Sequence, residues 1–307
     1  MLTCDNYIVV ASLDEAISCL ARYGAGARIV AGATDLLTWA RQGRAGDVNY
    51  EALVDIGSIP QLSGISVAGD RVRIGANTPI AAFLRDPLLL EQAPVLRRCA
   101  IWFADDQIRE QATVGGNLVN ASPAADAMPP LLAMNANVTL WRKEEDRLVS
   151  RTLPLSDFIV GPGKTTLQAG ELLGHIEFDA TGAWGSSFEK VGHRRSLVIS
   201  TVCLAILVRL DWSGRRFEDV RIAIGAVGPV PGRLYDIERS LVNEIVTPEL
   251  IHGAAQLAEN RVRSRSRQDY RREVLVNLIE RGIINALQEC GLVVERQADR
   301  SEEMLHV

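Results

Sequence analysis

The chain has 307 residues, of which 47% are hydrophobic and 23% charged, with a formal net charge of −5. This composition excludes intrinsic disorder, and 25 glycines and 12 prolines are too few for a collagen-like or mucin-like protein. At about 150 residues per domain the length predicts two domains, and the acidic balance disfavours a nucleic-acid binder. We therefore expect a globular protein that acts on small molecules or protein partners.

The sequence predicts neither a membrane span nor a secretory signal. Its most apolar run, 202–208, is far shorter than the roughly 20 residues that cross a bilayer. Near the N-terminus, Asp5 stands where a signal peptide would be basic. The five cysteines are widely spaced without a C-x-x-C pair, which argues against a disulfide framework or a cysteine-ligated cluster. We expect a cytoplasmic protein with reduced thiols.

The first half of the chain alternates helix and strand patterns. A capping box at 12–15 starts an amphipathic helix, and a short strand at 28–31 runs into a glycine turn. The polar, glycine-rich segment 107–126 shows no regular pattern. The other predicted elements are a helix from Asp35, strands at 53–56, 71–76 and 137–141, and a helix over 94–104.

The second half changes character after a predicted linker at 181–185. Long strands over 197–210 and 221–227 are predicted to form a hairpin, followed by helices from Thr247 and over 270–287. These patterns predict an N-terminal domain at 1–178, a C-terminal α+β domain at 183–290 and a loosely held tail at 291–307.

Several common functional motifs are absent. Segment 161–165 reads Gly-Pro-Gly-Lys-Thr, but the opening glycine of a phosphate-binding loop would fall at Phe158. The sequence has no G-x-G-x-x-G, H-E-x-x-H or G-x-S-x-G motif, and its four histidines are isolated. We therefore assign no catalytic residue and no metal ligand.

Two short glycine segments are the most informative features. Ala31-Gly-Ala-Thr-Asp35 follows a strand, and Thr113-Val-Gly-Gly-Asn117 lies in the polar segment. Glycine lets successive backbone amides point into one concavity, and threonine and asparagine add further donors. Such nests bind pyrophosphate, although a single glycine turn more often only reverses the chain.

A longer block, QIREQATVGGNLVNASPAAD over 107–126 followed by MPPLLAM, resembles the FAD-binding medium subunit of the molybdenum hydroxylases, the family of xanthine dehydrogenase and carbon monoxide dehydrogenase. Further matching blocks follow in the same order along the chain: VAGATDLL, RVRIGANT, GPGKTTLQAGELL, FEKVGHRRS, RIAIGAVGPVPGR and DYRREVLVNLI. The resemblance implies an FAD-binding domain of two α/β lobes, of the PCMH or vanillyl-alcohol-oxidase-like type. A smaller C-terminal α+β domain, an antiparallel sheet with helices, would follow.

The resemblance also implies which residues contact FAD. Both glycine segments would wrap its pyrophosphate, through Ile29, Val30, Ala31, Gly32, Ala33, Thr34, Asp35 and Leu36 and through Thr113, Val114, Gly115, Gly116 and Asn117. Phe103, Asp126 and Leu173 would contact the cofactor, and Lys190 would lie near the flavin ring, where a cation stabilises charge on reduced flavin. From the residues alone, Asp126 could equally cap a helix, Phe103 lie in the core and Lys190 on the surface.

Two positions depart from the family pattern. Ala33 replaces the second glycine of A-G-G-T-D, so a methyl group occupies a backbone position that favours positive φ, and FAD binding should weaken modestly. Val198 stands where many relatives have an aspartate. The cysteines of the iron–sulfur insertion of one subgroup are missing, so FAD is the only prosthetic group expected on this chain.

The resemblance implies an electron-transfer subunit. Electrons from a substrate hydroxylated on a large molybdopterin-binding subunit would pass through a small [2Fe-2S] subunit to FAD, and then to NAD or another acceptor. The GPGK segment and the C-terminal block are most similar to xanthine dehydrogenase-type subunits, which indicates a purine substrate. A flavin-free assembly subunit and a stand-alone flavin oxidoreductase of the vanillyl-alcohol oxidase type stay open as alternatives.

The densest run of charge is basic. It is either a solvated helix end or a salt-sensitive contact with an acidic partner subunit. Its members are Arg261, Arg263, Arg265, Arg267, Arg271 and Arg272.

Overall fold

The computed structural model describes residues 2–43, 48–194, 197–264 and 266–295. Within these ranges no helix is long and apolar enough to span a membrane. The chain begins with β1 (Leu2–Val9), α1 (Leu13–Tyr23), β2 (Ala27–Val30), α2 (Leu36–Arg41) and β3 (Val48–Asp55). The three strands form a parallel sheet in the order β1-β3-β2.

Helix α1 begins where the capping box predicts. The Glu15 amide donates to the Ser12 hydroxyl at 3.2 Å, and the Glu15 carboxylate accepts from the Ala11 amide at 2.8 Å. Ala16 and Ile17, on the apolar face of the helix, are buried in a core shared with β3. This packing positions the end of β2, where the first glycine segment begins.

A second sheet and most of the short helices follow. Five strands form an antiparallel sheet whose central strand is the last of the five along the chain. The helices share one apolar core with the sheet residues Val72, Ile74 and Phe178. The elements are β4 (Ile65–Ala68), β5 (Arg71–Gly75), α3 (Ala82–Arg85), α4 (Pro87–Gln92), α5 (Pro94–Trp102), α6 (Asp106–Gln111), α7 (Val114–Val119), α8 (Met128–Ala133), β6 (Asn137–Glu144), β7 (Arg147–Pro154), α9 (Leu155–Phe158), β8 (Ile159–Gly161), β9 (Lys164–Thr165) and β10 (Leu172–Asp179). The sheet order is β4-β5-β10-β6-β7.

The C-terminal part is an antiparallel sheet with helices on one side. It contains β11 (Gly185–Val191), β12 (Val202–Asp211), β13 (Arg216–Gly225), β14 (Gly232–Arg233), α10 (Tyr235–Leu241), α11 (Pro248–Gln256) and α12 (Gln268–Glu289), with strand order β11-β12-β13-β14. From Val202 to Val208 strand β12 is apolar, because both its faces are buried there. Ala205 and Leu207 join the core of the second sheet, and Leu204 and Ile206 join a core with α12.

Several sequence predictions need correction. The strand predicted over 197–210 begins only at Val202, because Leu197 has φ +51° and the chain turns there before entering the sheet. The strand predicted over 221–227 is β13. Segment 107–126, predicted to be irregular, contains α6 and α7, whose first turns are capped by Asp105 and Thr113.

Only the first residues of the predicted tail at 291–307 are described. In the segment predicted to be a loosely held tail, Leu292 is buried against the C-terminal core. Residues 296–307 lie outside the described part of the chain.

We predict that Gly185→Ala weakens the docking of α12 on the sheet. A Cβ at Gly185 would lie 1.9 Å from the carbonyl oxygen of Ala286, so the helix must move away. The expected loss is about 2–3 kcal/mol in the free energy of unfolding, measured by urea denaturation. Gly232→Ala, where no atom lies within 4 Å of the new Cβ, is the control. Equal losses in the two variants would contradict this packing.

Candidate functional site

The two glycine segments lie side by side although they are far apart in sequence. Gly32 packs so closely on the chain before the second segment that a Cβ there would lie 1.9 Å from the Gln111 carbonyl oxygen. The Asn120 side chain donates to the Asp35 carboxylate at 2.7 Å, which ties the end of α7 to the first segment. A ligand bound by one segment would therefore be within reach of the other.

The first segment has the free donors that a nest requires. Within the described part of the chain, the amides of residues 32–35 donate no hydrogen bond. Ala33 adopts φ +55°, the left-handed conformation that turns successive amides toward one side. For a residue with a Cβ this conformation costs about 1–2 kcal/mol. The segment therefore offers unbonded amides of the kind that bind an anion, and it carries local strain at Ala33.

The second segment differs from the predicted nest, because it is the first turn of α7 and its amides are bonded within the protein. The Val114 amide donates to the Thr78 carbonyl at 2.9 Å, and the Gly115 amide donates to the Ala76 carbonyl at 2.8 Å. The Gly116 amide donates to the Thr113 hydroxyl at 3.0 Å. What it offers a ligand is the exposed face at Gly116. The Asn117 Oδ1 is buried and has no partner among the described residues.

Sequence analysis missed the segment that joins the two glycine segments. The Asn77 side chain donates to the Ile56 carbonyl at 2.6 Å, and the Ile56 amide donates to the Val30 carbonyl at 2.9 Å. The neighbouring Ala76 and Thr78 carbonyls receive the first amides of α7. The RVRIGANT block was the only feature of the sequence that marked this segment. Nothing in its composition indicates that it connects the two glycine segments.

Asp126 and Lys190 form a buried ion pair. Their Oδ2 and Nζ atoms are 2.6 Å apart, and the Lys190 side chain is only 3% exposed, which excludes the surface interpretation. The Ser200 hydroxyl donates to Asp126 Oδ1 at 2.6 Å, and Lys190 also donates to the Trp102 carbonyl at 3.1 Å. Burial raises the pKa of Asp126, and the two hydrogen-bond partners oppose this rise. Sequence analysis did not identify Ser200 or Trp102.

A cavity of about 360 Å³ opens beside this ion pair. Its wall combines an indole ring with cationic side chains. The lining residues are Trp102, Lys190, Val191, Gly192, His193, Arg194 and Val198. The cavity therefore offers a ligand an aromatic surface and positive charge.

Phe103 and Leu173 are embedded in the protein rather than open to a cleft. Phe103 is half-buried against the main core at the end of α5, and its carbonyl accepts from Arg109. Leu173 is 3% exposed in β10, and the neighbouring Gly174 carbonyl accepts from the Ala76 amide at 2.9 Å. Leu173 is therefore the sequence neighbour of the residue that bonds to Ala76, whose own carbonyl accepts an amide of α7.

Most of the basic run is occupied within the chain. Arg261 pairs with Asp236, and Arg272 pairs with Asp269 at 2.9 Å. Arg271 donates to the carbonyl groups of Thr201 and Ala226. Arg265 lies outside the described residues.

A free amide nest beside a helix start, with a cavity lined by an indole and a buried lysine, defines a protein that binds a phosphate-containing cofactor. Two family models match the chain: "FAD binding domain in molybdopterin dehydrogenase" over residues 3–178, and "CO dehydrogenase flavoprotein C-terminal domain" over residues 187–286. The chain therefore belongs to the family of FAD-binding subunits of molybdopterin dehydrogenases. It is an oxidoreductase component, and its cofactor is FAD.

Characterised relatives span almost the same length. The xanthine dehydrogenase FAD-binding subunit of Escherichia coli O157:H7 is 30% identical over 278 residues, covering 90% of this chain and 92% of the relative. The carbon monoxide dehydrogenase medium chain of Hydrogenophaga pseudoflava is 27% identical, covering 93% and 98%.

The fold also matches solved structures. A carbon monoxide dehydrogenase structure from Hydrogenophaga pseudoflava matches with a TM-score of 0.86 and 26% identity, covering 93% of this chain and 98% of that chain. Quinoline 2-oxidoreductase from Pseudomonas putida 86 matches with a TM-score of 0.85 and 26% identity, covering 94% and 98%.

The residues present fit FAD. The amides of residues 32–35 supply donors for an anionic diphosphate, and the exposed Gly116 leaves room for it. The cavity beside Lys190 has cationic and aromatic lining residues, which are compatible with a flavin ring. No cluster of metal-ligating side chains occurs in the described ranges.

We predict that Ala33→Gly stabilises the protein by about 0.5–1 kcal/mol, because glycine adopts positive φ without strain but loses more entropy on folding. Urea denaturation of the FAD-free protein measures the change. Ala31→Gly, at a neighbouring position without positive φ, should destabilise by a similar amount. Destabilisation by both variants would show that Ala33 is unstrained.

We predict that Gly116→Val abolishes FAD retention and leaves the fold largely intact. The new side chain would fill the open face of α7, and the one close contact of its Cβ is the Thr113 hydroxyl at 2.9 Å. FAD content is measured after gel filtration, and circular dichroism reports the fold. The control is Gly253→Val, at another exposed helical glycine with open space around it. FAD content equal to that of the parent would remove Gly116 from the site.

Proposed function

We propose that this chain is the electron-transfer subunit of a molybdenum hydroxylase, receiving electrons from [2Fe-2S] clusters and passing them to NAD or another acceptor. The observation that carries this proposal is the free nest at residues 32–35 lying against the start of α7. Bound FAD can exchange electrons singly or in pairs, which links one-electron clusters to a two-electron acceptor.

We assign the cofactor contacts as follows. Residues 29–36 and 113–117 hold the diphosphate, the first through its amides and the second through the surface around Gly116. Asp126 and Lys190 lie at the flavin ring, where the buried ammonium group stabilises negative charge. Phe103 and Leu173 support the site from the core, since Phe103 is half-buried against it and Leu173 is buried within it.

The proposed partners are a large molybdopterin-binding subunit and a small [2Fe-2S] subunit. Support comes from relatives that are named as medium chains and from a related structure whose description mentions a molybdenum cofactor. The matched xanthine dehydrogenase subunit supports a purine as the substrate of the complex.

We also propose the two-lobed PCMH arrangement for residues 1–178 and a separate C-terminal domain at 183–290. The parallel sheet β1-β3-β2 and the antiparallel sheet that follows it are the two candidate lobes. The glycine segments lie where the first sheet meets the helices of the second.

The alternatives have less support. A flavin-free assembly subunit has no need of free amides at residues 32–35, and the matched family is FAD-binding. A stand-alone flavin oxidoreductase would need a substrate cap with catalytic side chains, and the relatives are named as subunits or chains of larger enzymes.

Purification of the tagged chain from its native host tests the proposal. We expect FAD, molybdenum and iron to co-purify with a larger and a smaller subunit, and the substrate-reduced complex to be reoxidised by NAD⁺. Bound FAD without molybdenum or iron would favour the stand-alone enzyme. A complex without flavin absorbance, even after FAD addition, would favour the assembly role.

A further inference from the structure

We propose that Ser200 is a positioning residue for the flavin site, whose hydroxyl holds the Asp126 carboxylate so that Lys190 keeps its charge available to the flavin ring. This inference rests on the proposed function, because it assumes that the flavin ring lies at Lys190. It assigns a role to a residue that neither the motifs nor the family resemblance singled out.

The geometry at Asp126 leaves its carboxylate no freedom to turn. Ser200 donates to Oδ1 and Lys190 to Oδ2, each at 2.6 Å. Ser200 is 5% exposed and Asp126 8% exposed, so water does not replace either contact. The Asp126 carbonyl also accepts from the Cys99 thiol at 3.1 Å, which anchors the backbone. Both carboxylate oxygens are therefore committed to partners from the C-terminal sheet.

Ser200 is itself held by its neighbour in the chain. The Thr201 amide donates to the Val191 carbonyl at 2.7 Å, and the Thr201 carbonyl accepts from Arg271. These contacts hold the turn before β12 against Val191, the residue that follows Lys190. Lys190 therefore approaches Asp126 from β11, and Ser200 approaches it from the turn before β12.

The hydroxyl changes how strongly Asp126 neutralises Lys190. A hydrogen bond to Oδ1 stabilises the carboxylate and draws negative charge away from Oδ2. Without it, the carboxylate would bind the ammonium group more tightly, and less positive charge would face the cavity. Lys190 also donates to the Trp102 carbonyl, so its ammonium group stays in place. Only the positive potential that this group projects into the cavity becomes weaker.

The test compares variants of the purified FAD-loaded protein by the midpoint potential of the flavin. In Ser200→Ala, we expect reduced FAD to bind about threefold to tenfold more weakly relative to oxidised FAD, a fall of about 14–30 mV for a two-electron couple. Ser200→Thr keeps the hydroxyl and should restore the parental potential. Ser187→Ala removes another buried hydroxyl, bonded to the Gly282 carbonyl at 2.8 Å, and should leave the potential unchanged.

Lys190→Met separates the inference from the proposed function. If this variant leaves the potential unchanged, the flavin ring is not at Lys190 and the proposed site fails. If it lowers the potential while Ser200→Ala keeps the parental value, only the role of Ser200 is overturned. Should Ser200→Ala not fold, Ser200→Cys replaces it, because its thiol is a weaker donor. A smaller fall in the same direction supports the proposal, and the parental value overturns it.

Discussion

The contact between Gly32 and the Gln111 carbonyl is the constraint on which the rest of the site depends. A Cβ at this position would lie 1.9 Å from the carbonyl oxygen, so the two segments approach as closely as backbones can. The approach places the free amides of residues 32–35 against the chain that enters α7. Asn77 and Asn120 then tie both sides together by hydrogen bonds. A diphosphate site can form here because two distant segments share one surface.

A second constraint joins the FAD-binding part to the C-terminal sheet. Asp126 lies between α7 and α8, yet both its carboxylate oxygens are bonded by residues at the ends of β11 and β12. An unpaired carboxylate at this depth would be costly, so the C-terminal sheet must dock for Asp126 to be stable. The cavity beside Lys190 exists only in the docked arrangement. The proposed flavin site and the packing of the C-terminal sheet therefore depend on the same buried ion pair.

Local pattern predicted much of the fold because the relevant physics is local. The capping box of α1 and the apolar face of α12 depend on residues within a few turns of each other. Prediction failed where distant groups decide. The turn at 197–201 carries strand-like residues, but its contacts with Asp126 and Arg271 keep it out of the sheet. The polar segment 107–126 forms helices because capping side chains and neighbouring carbonyls satisfy its first amides.

The sequence by itself determined the two glycine segments and the stronger helices and strands, because capping and periodicity are written in residue type and spacing, and its ordered motif blocks carried the family resemblance. The family resemblance marked Ala33 as a replaced glycine, and the structure shows that this residue has positive φ. Tertiary structure alone decided which amides remain free and which are bonded to residues 76–78. It also decided that Lys190 is buried against Asp126 and Ser200. Hydrogen-bond satisfaction depends on which distant groups come within 3 Å or so, and no local pattern encodes that distance.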